Sequence, residues 1–89
     1  ANIATLVRER GRIEAALDDL PYLEPLPSEA NFVLCRVVGR PAGDVVEGLL
    51  DRGILVRDFS SPRMANYVRI SVGRPEQNGA LLSALEALV

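Results

Sequence analysis

The chain has 89 residues, of which twelve are acidic and ten basic, and it carries a net charge of −2. This length accommodates one domain with a modest hydrophobic core. The sequence has no run of like charge, which argues against a nucleic-acid-binding protein. No apolar stretch approaches the ~20 residues of a membrane span. The single cysteine, Cys35, cannot form an internal disulfide and suits a cytoplasmic location.

The basic residues are unusual in kind, because all ten are arginines and the chain contains neither histidine nor lysine. Without histidine it lacks the usual general base near neutral pH. Without lysine it cannot form an internal Schiff base, which requires a primary amine on a side chain. Any imine chemistry must therefore come from residues outside this chain. No metal-ligand cluster or phosphate loop is recognisable either.

The first half of the chain predicts a helix and a strand. Apolar residues at three- and four-residue spacings predict an amphipathic helix over residues 3–19, its apolar face formed by Ile3, Leu6, Val7, Ile13, Leu17 and Leu20. The proline-rich stretch 21–30 is predicted to be an extended connector. Residues 31–38 are apolar on both faces over most of their length, which favours a central strand covered on both sides. A turn is predicted at 39–43.

The second half predicts a helix, two strands and a final helix. A helix is expected at about 44–52 with Gly53 as its C-terminal cap, followed by a short strand at 54–57 and a loop at 58–62. Residues 67–72 alternate, so Val68, Ile70 and Val72 are predicted to face the core while Arg69 faces outward. The last helix is expected to start near Pro75 and to bury Leu81, Leu82, Leu85 and Leu88.

The predicted fold class is α+β, a small α/β sandwich with the element order α-β-α-β-β-α. Its helices are expected to lie over one face of a mainly antiparallel three-stranded sheet. The opposite face would carry Arg69 and Arg57, which are costly to bury without partners. A further domain or a partner is therefore expected to cover that face.

Four segments together resemble the C-terminal part of the histidinol-phosphate aminotransferase family of fold-type I pyridoxal-phosphate enzymes. These segments are Pro27-Ser-Glu-Ala-Asn-Phe-Val-Leu34, Leu49-Leu-Asp-Arg-Gly-Ile-Leu-Val-Arg57-Asp58, Tyr67-Val-Arg-Ile-Ser-Val-Gly73 and Pro75-Glu-Gln-Asn78. Their order and spacing are also similar to the family's, and they cover nearly the whole chain. Related aminotransferases and the threonine-phosphate decarboxylases share much of the pattern.

The resemblance implies three substrate-binding residues and no catalytic or metal-binding residue. Arg69 matches the family arginine that grips the substrate's anionic end, and a guanidinium binds carboxylate or phosphate bidentately. Arg57 matches a second arginine near that anion, and Asn31 matches the asparagine of an Ala-Asn-Phe segment. Glu76, Asn78 and Gly79 are interpreted as helix-start residues rather than a ligand site.

The resemblance also implies that residues 1–89 form the small C-terminal domain of a longer enzyme. Pyridoxal phosphate and its Schiff-base lysine would belong to an absent large domain, so this chain alone is expected to bind no cofactor and to be inactive. The expected partners are that large domain, glutamate or 2-oxoglutarate and a phosphorylated amino substrate, within a family homodimer. The implied reaction converts histidinol phosphate and 2-oxoglutarate to imidazole acetol phosphate and glutamate in histidine biosynthesis.

Alternative interpretations remain open from the residues alone. Arg69 on an alternating strand is also typical of a solvated sheet face, and Arg57 has Asp58 and Asp51 nearby in sequence for an ordinary surface ion pair. Asn31 is equally compatible with a simple strand start, and Cys35 is interpreted as a small core residue. A free-standing α+β module that binds small anions or another protein would also fit an open face with two arginines.

Overall fold

In the computed structural model, which describes residues 3–27, 31–59 and 61–89, four strands form one antiparallel sheet. Within these residues the strands are β1 Leu23–Pro25, β2 Phe32–Val37, β3 Arg57–Asp58 and β4 Tyr67–Ser71, and the helices are α1 Ile3–Asp18, α2 Ala42–Leu50 and α3 Pro75–Ala87, with a 3₁₀ turn at Pro62–Met64. The order across the sheet is β1-β2-β4-β3. The predicted antiparallel α+β class is thus confirmed.

The predicted three strands are wrong, because part of the expected connector forms β1. Leu23 pairs with Val37 and Pro25 with Cys35 along the edge of β2. Leu23 is buried and Glu24 exposed, so the alternation of residues 21–26 is that of a strand at the sheet edge, where a proline is tolerated. The element order is therefore α-β-β-α-β-β-α, and residues 28–30 of the predicted connector lie outside the described residues.

The strand predicted at residues 54–57 is also wrong in extent. Only Arg57 and Asp58 pair with β4, opposite Arg69 and Val68. The three apolar residues before Arg57 do not join the ladder. Val56 is buried in the core and Ile54 packs against it, whereas Leu55 is exposed. Residue 60 of the predicted loop is outside the described residues.

The turn that ends α2 is a Schellman-type cap built on Gly53. Gly53 has φ +78°, and its N–H donates to Leu50 O while the Ile54 N–H donates to Leu49 O. A left-handed backbone at this position favours glycine, as the sequence predicted. Helix α2 itself begins at Ala42, two residues earlier than expected, so Gly43 belongs to the helix rather than to the preceding turn.

The core lies between the helices and one face of the sheet. From the sheet it takes the alternate residues Val33, Cys35, Val37, Val68 and Ile70, and from the helices Ile13, Leu17, Val45, Leu49, Leu81 and Leu85, all of which are buried. Two members of the predicted α1 stripe are exposed, Ile3 at 80% and Val7 at 49%, whereas Leu6 and Leu20 are partly buried. Ile3 and Val7 lie before the point where α1 meets α3, at Glu9 and Asn78.

Side chains from two other segments hydrogen-bond to the C-terminal end of α3. At its C-terminal end, the hydroxyl of buried Tyr22 donates to Leu85 O (2.6 Å), and Arg40 donates to Leu88 O (2.6 Å) while its guanidinium lies 4.1 Å from the Tyr22 ring centroid. Burial raises the pKa of Tyr22, so its hydroxyl remains a donor at neutral pH. These contacts position α3 over the inner face and leave the outer face of the sheet uncovered by any described helix.

Candidate anion-binding face

Arg57 and Arg69 are direct cross-strand partners in the β3–β4 ladder. Val68 and Ile70 on either side of Arg69 are buried in the core, so Arg69 projects from the opposite, outer face, and its partner Arg57 projects from the same face. Both side chains are exposed. The sheet therefore brings two of the three sequence-predicted site residues together.

The two arginines differ from the other charged pair on this face. Farther along the sheet, Arg36 faces Glu24 in the β1–β2 register and its Nη1 lies 3.5 Å from Glu24 Oε1. Within the described residues, neither Arg57 nor Arg69 has a carboxylate within 4.0 Å, so the expected alternative of an Arg57 ion pair with Asp58 or Asp51 is not formed there. Like charges directly opposite each other in a sheet destabilise it. An anion placed between them would remove that repulsion.

Phe32 is a neighbour of Arg69 that sequence reasoning missed. The guanidinium carbon of Arg69 lies 5.3 Å from the Phe32 ring centroid, within cation–π range. Phe32 sits diagonally across the β2–β4 ladder, since Leu34 is the direct partner of Arg69. The ring limits where the guanidinium can point and so orients its fork. The alternation of β2 was the available signal, because Phe32 and Leu34 share the face of Arg69.

Asn31 lies at the start of β2 and is not part of the arginine pair. Its carbonyl accepts a hydrogen bond from the Val72 N–H (2.8 Å), which places it beside the last residues of β4. Two residues lie between Asn31 and Leu34, the partner of Arg69, so by strand alternation Asn31 lies on the opposite face of the sheet from Arg69. The structure thus places Asn31 at the end of the same two strands, three positions along the sheet (~10 Å) from Arg69.

The side chains of Arg57 and Arg69 are exposed on the arginine face. A pocket of about 420 Å³ lies elsewhere, between residues 53–56, the end of β4 and the first turns of α3, and none of Arg57, Arg69 and Asn31 lines it. Small-molecule sites are usually clefts that enclose most of the ligand. A substrate on the arginine face would therefore need a second wall from outside the described residues. No group of three or more metal-ligating side chains and no membrane-spanning helix occurs among those residues.

Comparison with known proteins places the chain in a family. The sequence profile described as aminotransferase class I and II matches residues 1–85. The chain therefore belongs to the class I and II aminotransferases, a pyridoxal-phosphate-dependent family. The histidinol-phosphate aminotransferase of Dehalococcoides mccartyi is 46% identical over 83 residues, which cover 93% of this chain and 23% of that protein.

Solved structures agree with this assignment. The L-threonine-O-3-phosphate decarboxylase of Porphyromonas gingivalis superposes with a TM-score of 0.88 at 32% identity, over 99% of this chain and 28% of that one. The histidinol-phosphate aminotransferase of Sinorhizobium meliloti, solved in complex with pyridoxal-5'-phosphate, gives 0.80 at 26% identity, over 97% and 25%. The chain thus spans about a quarter of the length of the relatives it matches, and corresponds to part of such an enzyme.

Proposed function

We propose that residues 1–89 are the small, C-terminal domain of histidinol-phosphate aminotransferase, and that Arg69 and Arg57 bind the anionic group of the substrate. The reaction is the conversion of histidinol phosphate and 2-oxoglutarate to imidazole acetol phosphate and glutamate. The observation that carries the proposal is the arginine pair: two cross-strand guanidinium groups face the same side without a carboxylate partner among the described residues.

The two amino donors of this reaction explain why arginine serves here. Glutamate presents an α-carboxylate, whereas histidinol phosphate presents a phosphate ester, and one site must accept each in turn. A guanidinium stays charged at every working pH and binds either anion through two parallel hydrogen bonds. Held at that end, the substrate has its α-carbon fixed against the cofactor, which is catalysis by positioning. Asn31, the third residue that the resemblance implies, lies at the end of the same strands but on the opposite face of the sheet by alternation, so it would contact a part of the substrate other than the anion held by the arginines.

The residues of this chain do not fit pyridoxal phosphate as its holders. The cofactor's covalent attachment requires a side-chain primary amine, and all ten basic residues here are arginines. The large domain would therefore bind the cofactor and supply the second wall of the site, and the small domain alone would be inactive. The enzyme would act as a homodimer, and the fully buried Cys35 thiol fits a reducing, cytoplasmic location.

The proposal is tested in the full-length enzyme with Arg69→Ala. We expect kcat/KM to fall roughly a hundredfold with both glutamate and histidinol phosphate, because one arm of a charge-assisted clamp is lost with each. Arg52→Ala is the matched control, since Arg52 lies after α2 and donates to Gly48 O instead. Unchanged kinetics of the Arg69 variant with both donors would refute the clamp.

A second candidate function is the decarboxylation of threonine phosphate, which the 32% identical P. gingivalis structure favours. Both substrates carry a phosphate, so the arginine pair would serve either. Assaying the full-length enzyme with each substrate distinguishes them, because only the decarboxylase releases carbon dioxide from L-threonine O-3-phosphate. A free-standing anion-binding module is the remaining alternative. It requires that no lysine-bearing domain is encoded in frame with residue 1.

A further inference from the structure

The side chain of Asn78 is buried at the junction of α1, α3 and the loop after β4. It is 2% exposed, and its Oδ1 accepts from the Gly73 N–H (2.9 Å) while its Nδ2 donates to Gly73 O (2.9 Å). The second hydrogen of Nδ2 points to Glu9 Oε1 (3.1 Å). One carboxamide thus holds both polar groups of Gly73 and ties them to α1.

This arrangement requires an asparagine. Two donors and one acceptor are used at once, and a carboxamide supplies all of them, whereas aspartate would supply no donor and would set a second carboxylate against Glu9. Glu9 is itself 5% exposed and accepts from Arg12 Nη1 (2.8 Å). Arg12 also donates to Pro75 O (3.3 Å) at the start of α3. Every polar group in the cluster has a partner.

The cluster is connected to the candidate site through the main chain. Gly73 follows Val72, whose N–H donates to the carbonyl of Asn31 (2.8 Å). Gly73 also lies close to α3, since a Cβ at that position would come within 2.6 Å of Gln77 Oε1. The loop therefore has little freedom, and its position sets both the end of β4, the strand that carries Arg69, and the start of β2 at Asn31.

We infer that Asn78 is a positioning residue for substrate binding: by fixing Gly73 against Glu9, it holds the end of β4, the strand that presents Arg69 to the substrate anion, and the start of β2 that pairs with it. The inference rests on the proposed function of that face. It assigns to Asn78 more than the initiation of α3. Loss of its side chain would leave the arginines in place chemically but would loosen the backbone that aims them.

The test uses the full-length enzyme, with steady-state kinetics for glutamate and histidinol phosphate and a melting temperature for each variant. Asn78→Ala removes all three hydrogen bonds of the carboxamide and is expected to raise KM at least about tenfold for both donors, with a much smaller change in kcat. Tyr22→Phe is the matched control. It removes a buried hydrogen bond at the other end of α3, Tyr22 to Leu85 O, and should lower the melting temperature while KM stays at the wild-type value.

A wild-type KM for Asn78→Ala, measured well below its melting temperature, would overturn the inference. So would a KM increase of equal size in Tyr22→Phe, because that would reflect general loosening. Arg69→Ala, measured in parallel, distinguishes failure of the positioning role of Asn78 from failure of the proposed function. If Arg69→Ala lowers kcat/KM while Asn78→Ala leaves KM unchanged, only the positioning role fails; if Arg69→Ala leaves kcat/KM unchanged with both donors, the proposed function itself fails.

A second pair of variants keeps the inference testable if Asn78→Ala does not fold. Glu9→Gln retains a side-chain oxygen that can accept from Asn78 Nδ2, whereas Glu9→Ala removes it. We expect wild-type KM for Glu9→Gln and an increase of roughly threefold to tenfold for Glu9→Ala. Equal KM values in these two variants would contradict a role for the Glu9–Asn78 contact in substrate binding.

Discussion

Cys35 shows how burial controls the chemistry of one side chain. Its thiol lies in the centre of β2 with no exposed surface, and desolvation raises its pKa to about 12. The reactive thiolate is therefore nearly absent at pH 8. We expect Cys35 in the native chain to resist iodoacetamide at pH 8 and to be alkylated once the chain is unfolded in guanidinium chloride. Mass spectrometry of the Cys35 peptide measures both, and rapid labelling of the native chain would contradict the prediction.

At the scale of single residues, the sequence was informative where a residue obeys a periodic pattern. The alternation of residues 67–72 correctly predicted that Val68 and Ile70 are buried and that Arg69 faces outward. It could not predict that Arg57 is the direct partner of Arg69, because register depends on where the 3₁₀ turn and its flanking loop place the two strands. The role of Glu9 was equally hidden. An acidic residue on the buried face of α1 indicates a polar partner, but nothing identifies Asn78, 69 residues away.

Two glycines have opposite effects on stability, Gly11 inside α1 and Gly53 in the cap that follows α2. Gly11 lies inside α1, where an added methyl group would meet nothing within 4 Å, whereas Gly53 has φ +78° in the cap of α2. Gly11→Ala should raise the free energy of unfolding by about 0.5–1 kcal/mol through helix propensity, and Gly53→Ala should lower it by about 1 kcal/mol through backbone strain. Urea denaturation of the two variants measures both signs. The same sign for both would show that conformational preference is not the dominant effect.

The contact between α1 and α3 predicts a specific pH dependence. The hydrogen bond from Asn78, partly opposed by burial and assisted by Arg12 and Arg8, lowers the pKa of Glu9 below its ordinary value of 4.5. A carboxyl whose pKa is lower in the folded chain stabilises the fold fully above the ordinary value, and that contribution is lost as pH falls through the lowered one. Glu9→Gln should therefore flatten the fall in unfolding free energy below about pH 4.5.

Urea denaturation of the 89-residue chain between pH 3 and 7 makes this measurement. Glu14→Gln is the control for the change in net charge, since Glu14 lies on the same helix and pairs with Arg10 (3.9 Å) without contacting Asn78. If the acid limb of Glu9→Gln followed that of wild type, the Glu9–Asn78 hydrogen bond would not be the source of acid sensitivity.

Elements were predictable to the extent that their residues carry a local signal. The three helices have periodic apolar faces and clear ends at Pro21, Gly53 and Pro75, and all three were placed within two residues. Strand β1 was missed because three residues with a proline carry no recognisable strand pattern. Its pairing partners, residues 35–37, lie at the C-terminal end of β2, so no short hairpin turn marks the pairing. Strand β3 was placed too early, since Ile54 and Val56 pack in the core without pairing to β4.

At the scale of the whole molecule, the outer face of the sheet carries two charged pairs of opposite character. Glu24 and Arg36 neutralise each other at one side of it, whereas Arg57 and Arg69 confront each other at the opposite side. Facing like charges cost stability in the isolated chain, and under the proposed function a bound substrate anion would offset that cost. The chain spans about a quarter of the length of its aminotransferase relatives, so in the proposed full-length enzyme this face would have a neighbouring domain.

This conflict between stability and function leads to a prediction for Arg57→Gln. In the 89-residue chain, removing one of two facing positive charges should raise the unfolding free energy by about 0.5 kcal/mol, and the gain should shrink as added salt screens the repulsion in the wild type. In the full-length enzyme, the same substitution should lower kcat/KM for both amino donors. Urea denaturation at two salt concentrations and steady-state kinetics test the two halves separately.

Arg36→Gln is the matched control, because it removes a positive charge from the same face but breaks the pair with Glu24. It should leave stability unchanged or slightly lower, as expected for an exposed ion pair worth under ~1 kcal/mol. A gain in stability from both variants would indicate a general effect of net charge rather than the Arg57–Arg69 repulsion. A gain from Arg57→Gln alone, together with weakened catalysis, would mean that the face tolerates an unfavourable contact because substrate binding relieves it.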